Sequence, residues 1–290
     1  MIDPVRRKIH EANRRSWNAA TVAHNSHKVD QAGFLRSGGS TLFPEEVELL
    51  GDIAGKRLLH LLCNAGQDTL SLARLGAIVT GVDISDEAIR FASALSHDSA
   101  IPAKFYRADV YDWLEEHSDS GEEFDIVFCS YGCICWLSDL VSWAAGISGM
   151  LSLGGRLVVV DLHPASMMFN ERFELTYPYF GDGKPEVSED GVSDYVARSG
   201  PSLAPSGFDE GIRDFKNPNA VHEFQWHIGA MLAALVQSGL SIQEFREYPY
   251  FNGAKLFDNM REKDGRRMYP PEHLPSIPLM FGLSAVKPGP

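Results

Sequence analysis

The chain has 290 residues, of which 44% are apolar, and a formal net charge of -13. This length permits one large α/β domain with insertions. An acidic chain without a cluster of Lys and Arg repels phosphate backbones and anionic lipids, so we expect neither nucleic acid nor a membrane as a partner. No apolar run follows the basic first residues, and no later stretch reaches the roughly 18 apolar residues of a spanning helix. We therefore predict a cytoplasmic protein.

The cysteines do not indicate a disulfide framework, because four in a chain of this size are too few. Cys129, Cys133 and Cys135 lie close together, and such a group is chemically able to ligate zinc. No fourth ligand follows at the spacing of a zinc finger, and Cys129 lies in a predicted buried strand. We therefore expect no metal.

Residues 57–162 alternate apolar runs of strand length with amphipathic segments of helix length, a pattern typical of a parallel sheet built from βαβ units. Their two-sided hydrophobicity predicts burial by helices on both faces of the sheet. The predicted strands are 57–63, 77–83, 103–108, 124–130 and 155–162. The predicted helices are 67–75, 86–97 and 139–150.

The flanking segments predict a cap and a lid. Residues 1–55 are expected to form an N-terminal helical cap. Residues 165–219 are rich in Gly, Pro, Ser and acids, which favours an inserted lid, a small insertion with a hairpin of its own, or a partly disordered segment. A helix over 221–238 and strands at 240–248 and 279–286 complete a domain over 56–290. We predict one domain, with cap and lid attached.

The first strand and turn, LLHLLCNAGQDT, predict a site for a nucleoside. A helix that begins beyond the carboxyl edge of a parallel strand directs free N–H groups into the crevice, and Gly66 allows the backbone to approach a ligand closely. Asp83 ends the next strand, where a carboxylate can accept hydrogen bonds from both ribose hydroxyls.

Further segments follow in order, and together they resemble the successive motifs of class I S-adenosylmethionine-dependent methyltransferases over roughly residues 57–162. These segments are HLLCNAGQDTLSLARLGAIVTGVDIS, YRADV, FDIVFCSYG and LSLGGRLVVVD. The resemblance implies a Rossmann-like, seven-stranded α/β fold, mostly parallel with an antiparallel C-terminal strand. It also implies S-adenosyl-L-methionine as cofactor, S-adenosyl-L-homocysteine as product, and methyl transfer to a small-molecule acceptor.

The resemblance also assigns cofactor contacts. In that family the equivalent of Asp83 binds the ribose, and the equivalent of Asp109 contacts the adenine amino group. The first motif of this chain differs from the commoner form at three positions. His60 stands where an acid is usual, and Leu62 and Asn64 stand where glycines are usual. The candidate cofactor residues are Trp17, Arg36, His60, Cys63, Asn64, Gly66, Asp68, Asp83, Ile84, Asp109, Val110, Ser130 and Tyr131.

Arg36 is a candidate for the cofactor carboxylate, which a guanidinium binds through two hydrogen bonds, although a surface arginine is an equal alternative. Two rival functions remain open. A protein of this fold can bind the cofactor and regulate without turnover. An NAD(P)-dependent oxidoreductase is a remote alternative, because its G-x-G-x-x-G turn is absent here.

The acceptor pocket is expected at the carboxyl ends of the fourth and fifth strands. His163 and Tyr131 are the candidate catalytic residues, since an imidazole can take a proton at neutral pH. His163 has the alternative of fixing the turn before Pro164. The candidate substrate contacts, each of which packing alone also explains, are Trp136, His163, Tyr177, Tyr179, Tyr195, His222 and Trp226.

Overall fold

Helices dominate the N-terminal segment of the computed structural model, which describes residues 3–118 and 121–289. Helix α1 (Pro4–Ser26) begins at Asp3, whose carboxylate accepts hydrogen bonds from the amides of Val5 and Arg6. The short helices α2 (Gln31–Arg36) and α3 (Pro44–Leu50) follow. Among the described helices, none combines the length and the apolarity that a membrane span requires.

The central βαβ region has the predicted order of strands and helices. One element was missed: the helix over 110–118, which directly follows the short third strand. The elements are β1 (Arg57–Leu61), α4 (Gln67–Arg74), β2 (Ile78–Asp83), α5 (Asp86–Ser99), β3 (Lys104–Arg107), α6 (Val110–Ser118), β4 (Phe124–Ser130), α7 (Leu140–Met150) and β5 (Leu151–Leu162).

The C-terminal part differs from the prediction at two places. A helix is expected over 221–238, but only the second half of this range is helical. Its first residues, Val221–Phe224, form a strand that pairs with Pro185–Ser188. In addition, the segment that connects the last two predicted strands in sequence forms a small sheet of its own. These elements are β6 (Pro185–Ser188), α8 (Tyr195–Ser199), β7 (Val221–Phe224), α9 (Ile228–Gln237), β8 (Ser241–Tyr248), β9 (Phe251–Asn252), β10 (Arg261–Lys263), β11 (Arg267–Tyr269) and β12 (Met280–Val286).

The main sheet has seven strands within the described residues, in the order β3-β2-β1-β4-β5-β12-β8. Strands β1 to β5 are parallel to one another, and β12 is antiparallel to both β5 and β8. The predicted Rossmann-like, mostly parallel fold is therefore confirmed. Because the parallel strands end at one edge, the residues that follow them meet there.

Apolar cores cover both faces of the sheet. On one face, Trp143 of α7 and Leu235 of α9 pack against Leu59 and Val127. On the other face, Leu50 of α3 and Phe128 of β4 belong to a second cluster. Because both faces of the sheet are buried, the strand ends move little, and the side chains that follow the strands are held in place.

Residues 165–219 pack against α1. The Ser16 hydroxyl accepts from the amide of Val192, and Asn217 donates to the carbonyls of Ser16 and Val192. His24 contacts the Ser193 carbonyl at 2.9 Å. The predicted cap and the predicted lid therefore form one continuous cover over the carboxyl edge of the sheet, and movement of the lid stays a prediction.

Candidate functional site

A cavity of about 490 Å³ lies at the carboxyl edge of the parallel strands, beneath α1 and the insertion. Residues at the carboxyl ends of β1 to β5 line it, as expected where parallel strand ends meet. Of the candidate residues, those that line it are Trp17, His60, Cys63, Asn64, Asp68, Asp83, Ile84, Asp109, Val110, Ser130, Tyr131, Trp136 and Tyr195.

The turn after β1 keeps the conformation of a glycine-rich turn although it has a single glycine. Leu62, Asn64 and Gly66 have φ values of 54°, 48° and 77°, so all three are left-handed. A left-handed conformation is unfavourable for Leu and better tolerated by Asn. The two positions where glycine is usual thus retain the backbone shape that glycine favours. Gly66 does not line the cavity; it begins α4 and is close-packed against Ala92.

Asp83 is held by backbone amides at the end of β2. One carboxylate oxygen accepts from the Asn64 amide and the other from the Ser85 amide, each at 2.8 Å. Burial raises the pKa of Asp83 to about 6, and these hydrogen bonds oppose that rise. Its lone pairs that remain free face the cavity and suit hydroxyl donors.

Asp109 is oriented by α1. Its Oδ2 lies 2.6 Å from His10 Nδ1, and its Oδ1 accepts from the Tyr111 amide at 2.9 Å. The second nitrogen of His10 lies 2.9 Å from the Ser138 hydroxyl, and its ring stacks on Tyr111. The N-terminal helix is therefore tied directly to the third strand end of the site, a link that the sequence analysis missed.

His60 replaces the usual acid with a neutral group. Its Nδ1 lies 2.8 Å from the Thr69 hydroxyl, whereas its buried Nε2 has no partner among the described residues. Burial lowers the pKa of His60 to about 4, so the ring is uncharged at neutral pH. A buried polar atom without a partner is costly in free energy.

Tyr131 follows β4 in a left-handed conformation, with φ of 45°. Its hydroxyl accepts from the Asn252 amide at 3.0 Å, and the same amide donates to Glu45 at 3.0 Å. Burial raises the pKa of Tyr131 well above its ordinary value, and the negative charge of Glu46 adds to that rise. The tyrosine is thus a fixed neutral wall of the cavity and is poorly suited to act as a base.

Aromatic rings form the wall between α1 and the insertion. The ring of Trp17 lies 5.5 Å from that of Trp136 and 6.4 Å from that of Tyr195, both edge-on. These residues come from three separate parts of the chain. Their contact forms the wall of the cavity on the side of the insertion.

His163 does not lie at the cavity, which corrects the prediction of a base there. Its Nε2 lies 3.0 Å from Glu247, and its Nδ1 accepts from the Ala165 amide at 3.0 Å. The ring is buried beside the outer strands and fixes the turn that follows β5, as the alternative interpretation required. It is therefore not placed to contact a substrate in this cavity.

Five other candidates also lie outside the cavity. Arg36 donates to the Asp98 carbonyl at the end of α5, as a surface arginine would. The indole of Trp226 donates to the Leu137 carbonyl at 2.7 Å, and Tyr177 is 45% exposed. Tyr179 packs against Phe180. His222 lies on β7 and does not line the cavity. None of these five side chains lines the cavity.

Charged residues that the sequence analysis missed do line the cavity. Lys28, Glu223 and Arg266 line it and have no ion-pair partner within residues 3–118 and 121–289. Burial lowers the pKa of Lys28 to about 8, and the charge of Asp68 opposes this. Each residue lies far in sequence from the motifs, so no local pattern identifies it.

Comparison with known proteins gives a consistent result. Residues 59–159 match the family model described as a methyltransferase domain. An uncharacterized methyltransferase from Synechocystis sp. is 32% identical over 145 residues, which is 49% of this chain and 64% of that protein. A ubiquinone biosynthesis O-methyltransferase from Aromatoleum aromaticum is 27% identical over 42% of this chain and 47% of that protein. The chain thus spans less than two thirds of each relative.

A solved S-adenosylmethionine-dependent methyltransferase from Clostridium acetobutylicum superposes with a TM-score of 0.55 at 12% identity, covering 86% of this chain and 93% of that one. At this identity the likeness concerns the fold. Taken with the order of the sheet, it confirms the predicted fold, and residues 59–159 carry a methyltransferase domain, as the resemblance to class I S-adenosylmethionine-dependent methyltransferases implies.

Proposed function

We propose that this protein transfers the methyl group of S-adenosylmethionine to a small molecule held in the cavity. The observation that carries the proposal is the position of Asp83 and Asp109, which follow adjacent strands and line one covered cavity. A cavity of about 490 Å³ beneath α1 and the insertion suits a cofactor with a small acceptor. The ubiquinone O-methyltransferase relative and the net charge of -13 agree with a small molecule as acceptor in place of nucleic acid.

The residues present fit the cofactor. Asp83 would accept from the ribose hydroxyls, and Asp109 would meet the adenine between Ile84 and Val110. The left-handed turn at 62–66 brings backbone close to the methionine part, beside the unpartnered Nε2 of His60. A single bound cofactor thus accounts both for the acids Asp83 and Asp109 in the cavity and for the shape of the turn at 62–66.

Lys28 takes the role first expected of Arg36. It lines the cavity directly after α1, next to a hydrogen-bonded group formed by Asn25, Gln31 and Gln67. Its ammonium lacks an ion pair, and a buried charge is stable only with a partner. We infer that the methionine carboxylate is this partner.

The chemistry needs few groups from the protein. When bound, the cofactor supplies a methyl group activated by a positively charged sulfur. The chain's residues hold the acceptor in line with that methyl, which can account for roughly 7–11 kcal/mol of the barrier. Trp17, Trp136 and Tyr195 keep water from the reacting pair by closing the wall between α1 and the insertion.

Glu223 replaces His163 as the candidate base. It extends from β7, which packs on the turn at Ile134–Trp136, and its carboxylate lacks a hydrogen bond within the described chain. Burial raises the pKa of Glu223 above its ordinary value, which makes it a better proton acceptor than an exposed glutamate. It would remove the proton from an acceptor that must lose one.

A screen for turnover separates catalysis from binding alone. The full chain is incubated with S-adenosylmethionine and panels of phenols, aromatic amines, thiols and keto acids, and formation of S-adenosylhomocysteine is measured. We expect acceptor-dependent product above the background without protein. Tight binding of S-adenosylhomocysteine with no turnover on any panel would favour the regulatory alternative instead.

A further inference from the structure

An arginine from the C-terminal hairpin extends into the cavity. Arg266 ends the turn between β10 and β11 with φ of 63°, a conformation that is uncommon for a residue with a side chain. Its carbonyl accepts from the Gly253 amide at 2.9 Å, so the turn is tied to the segment after β9. The backbone is thus held in an unfavourable conformation that places this side chain at the cavity.

Protein groups use only part of the guanidinium. Arg266 donates to the carbonyls of Ser202 at 3.2 Å and Thr41 at 3.1 Å, and its central carbon lies 4.1 Å from the centre of the Phe43 ring. A guanidinium has five N–H donors, so most remain available. Neighbouring Arg267, in contrast, pairs with Glu45 at 2.6 Å.

An unpaired charge here indicates a ligand of opposite charge. Arg266 is partly buried; the charges of Asp68 and Glu46 act on it from a distance, but no described carboxylate forms an ion pair with it. Removing a cation from water without a partner is unfavourable, and a planar guanidinium binds a carboxylate through paired hydrogen bonds.

The surroundings of Arg266 are aromatic. The ring of Phe43, on which the guanidinium stacks, lies 5.9 Å from that of Tyr131, which in turn lies 5.7 Å from Phe251. All these residues line the cavity on the side of Tyr131 and the insertion, whereas the proposed nucleoside contacts follow β2 and β3. This separates Arg266 from the ribose and adenine contacts.

We propose that the methyl acceptor is an aromatic or apolar molecule with a carboxylate, which Arg266 binds beside Phe43. This inference rests on the proposed function and narrows its substrate class. The aromatic walls hold the body of the acceptor, and the arginine fixes its orientation through the carboxylate.

Binding of benzoate and of its neutral analogue benzamide tests the proposal. Each is titrated at neutral pH into protein saturated with S-adenosylhomocysteine. We expect benzoate to bind about tenfold to a hundredfold more tightly than benzamide, the range for hydrogen bonds between charged groups. The preference should vanish in Arg266→Gln, fall partly in Arg266→Lys, and persist in Lys263→Gln, which removes one exposed positive charge from the same hairpin.

Other outcomes of this experiment would overturn the proposal that Arg266 binds a carboxylate of the acceptor. Equal binding of the two probes, or binding of neither, contradicts a carboxylate site for the acceptor. Loss of S-adenosylhomocysteine affinity in Arg266→Gln would assign the arginine to the cofactor carboxylate. Failure of the wild-type protein to bind S-adenosylhomocysteine refutes the proposed function itself, so the two failures are distinguishable. The wild-type comparison stands even if Arg266→Gln does not fold.

Discussion

At the scale of single residues, Asp83 has two roles, because its oxygens hold the β1 turn and also face the cavity. Replacing it with Ala should weaken binding of S-adenosylhomocysteine by about 1–3 kcal/mol through loss of charge-assisted hydrogen bonds. Calorimetry measures this, with Asp86→Ala as the control, since Asp86 is an exposed acid on α5 that pairs with Arg14. Unchanged affinity in folded Asp83→Ala would remove the ribose assignment.

The raised pKa of Asp83 predicts how cofactor affinity depends on pH. The group is ionised above about 6 and protonated below it, and the protonated carboxyl is a weaker acceptor that has lost its negative charge. Affinity should therefore fall as the pH drops through this value, by up to about tenfold per pH unit. The facing groups Cys63 and Tyr195 stay neutral there, because burial raises both of their pKa values. Asp83→Asn should abolish this acid-side loss, and a profile identical to wild type would assign it to another group.

The raised pKa of Glu223 predicts that the rate of methyl transfer also depends on pH. Its raised pKa means that it becomes protonated, and inactive as a base, at a higher pH than an ordinary glutamate. With an acceptor that must lose a proton, kcat should fall on the acid side. In Glu223→Gln we expect kcat to be lower by about 10²–10⁴-fold and that acid limb to disappear. A retained limb with a normal kcat would show that this carboxylate does not take the proton.

At the scale of elements, the contact between α1 and the insertion depends on Gly191. It has φ of 64°, and a Cβ there would lie 2.2 Å from the Asn219 carbonyl and 2.8 Å from the Ser16 hydroxyl. Gly183 has φ of 81° with open space around it. Both changes to Ala incur the left-handed cost of about 1–2 kcal/mol, but only Gly191→Ala adds a clash. Chemical denaturation should show a larger loss of stability for Gly191→Ala; equal losses would contradict this packing.

The same contact bears on the proposed lid. Parts of the insertion line the cavity, and the insertion is hydrogen-bonded to Ser16, His24 and Ser26 of α1. Hydrogen exchange over residues 165–219 should slow when an acceptor joins the complex with S-adenosylhomocysteine, because the segment then closes over both ligands. Protection that is already high and does not respond would identify the segment as a fixed wall.

At the scale of the whole molecule, local patterns predicted the sheet but not the chemistry of the cover. The strands and the Asp83 position follow from periodicity and from turns close in sequence. His10, Lys28 and Arg266 could not be predicted, since their functional meaning depends on contacts with residues far away in the chain. The position of His163 outside the cavity could not be predicted for the same reason, because its partner Glu247 lies on a distant strand. Where glycine was missing, at Leu62 and Asn64, the backbone kept its shape nonetheless.

The central claim is that the cavity at the strand ends accepts an S-adenosyl ligand. Its most direct test is calorimetric titration of the full chain with S-adenosylhomocysteine, and in parallel with NAD⁺, at neutral pH. We predict saturable binding of S-adenosylhomocysteine with one site per chain, and no binding of NAD⁺, because the side chains of Leu62 and Asn64 occupy the turn where a pyrophosphate would need glycines. Binding of NAD⁺ in preference, or of neither ligand, would contradict the account.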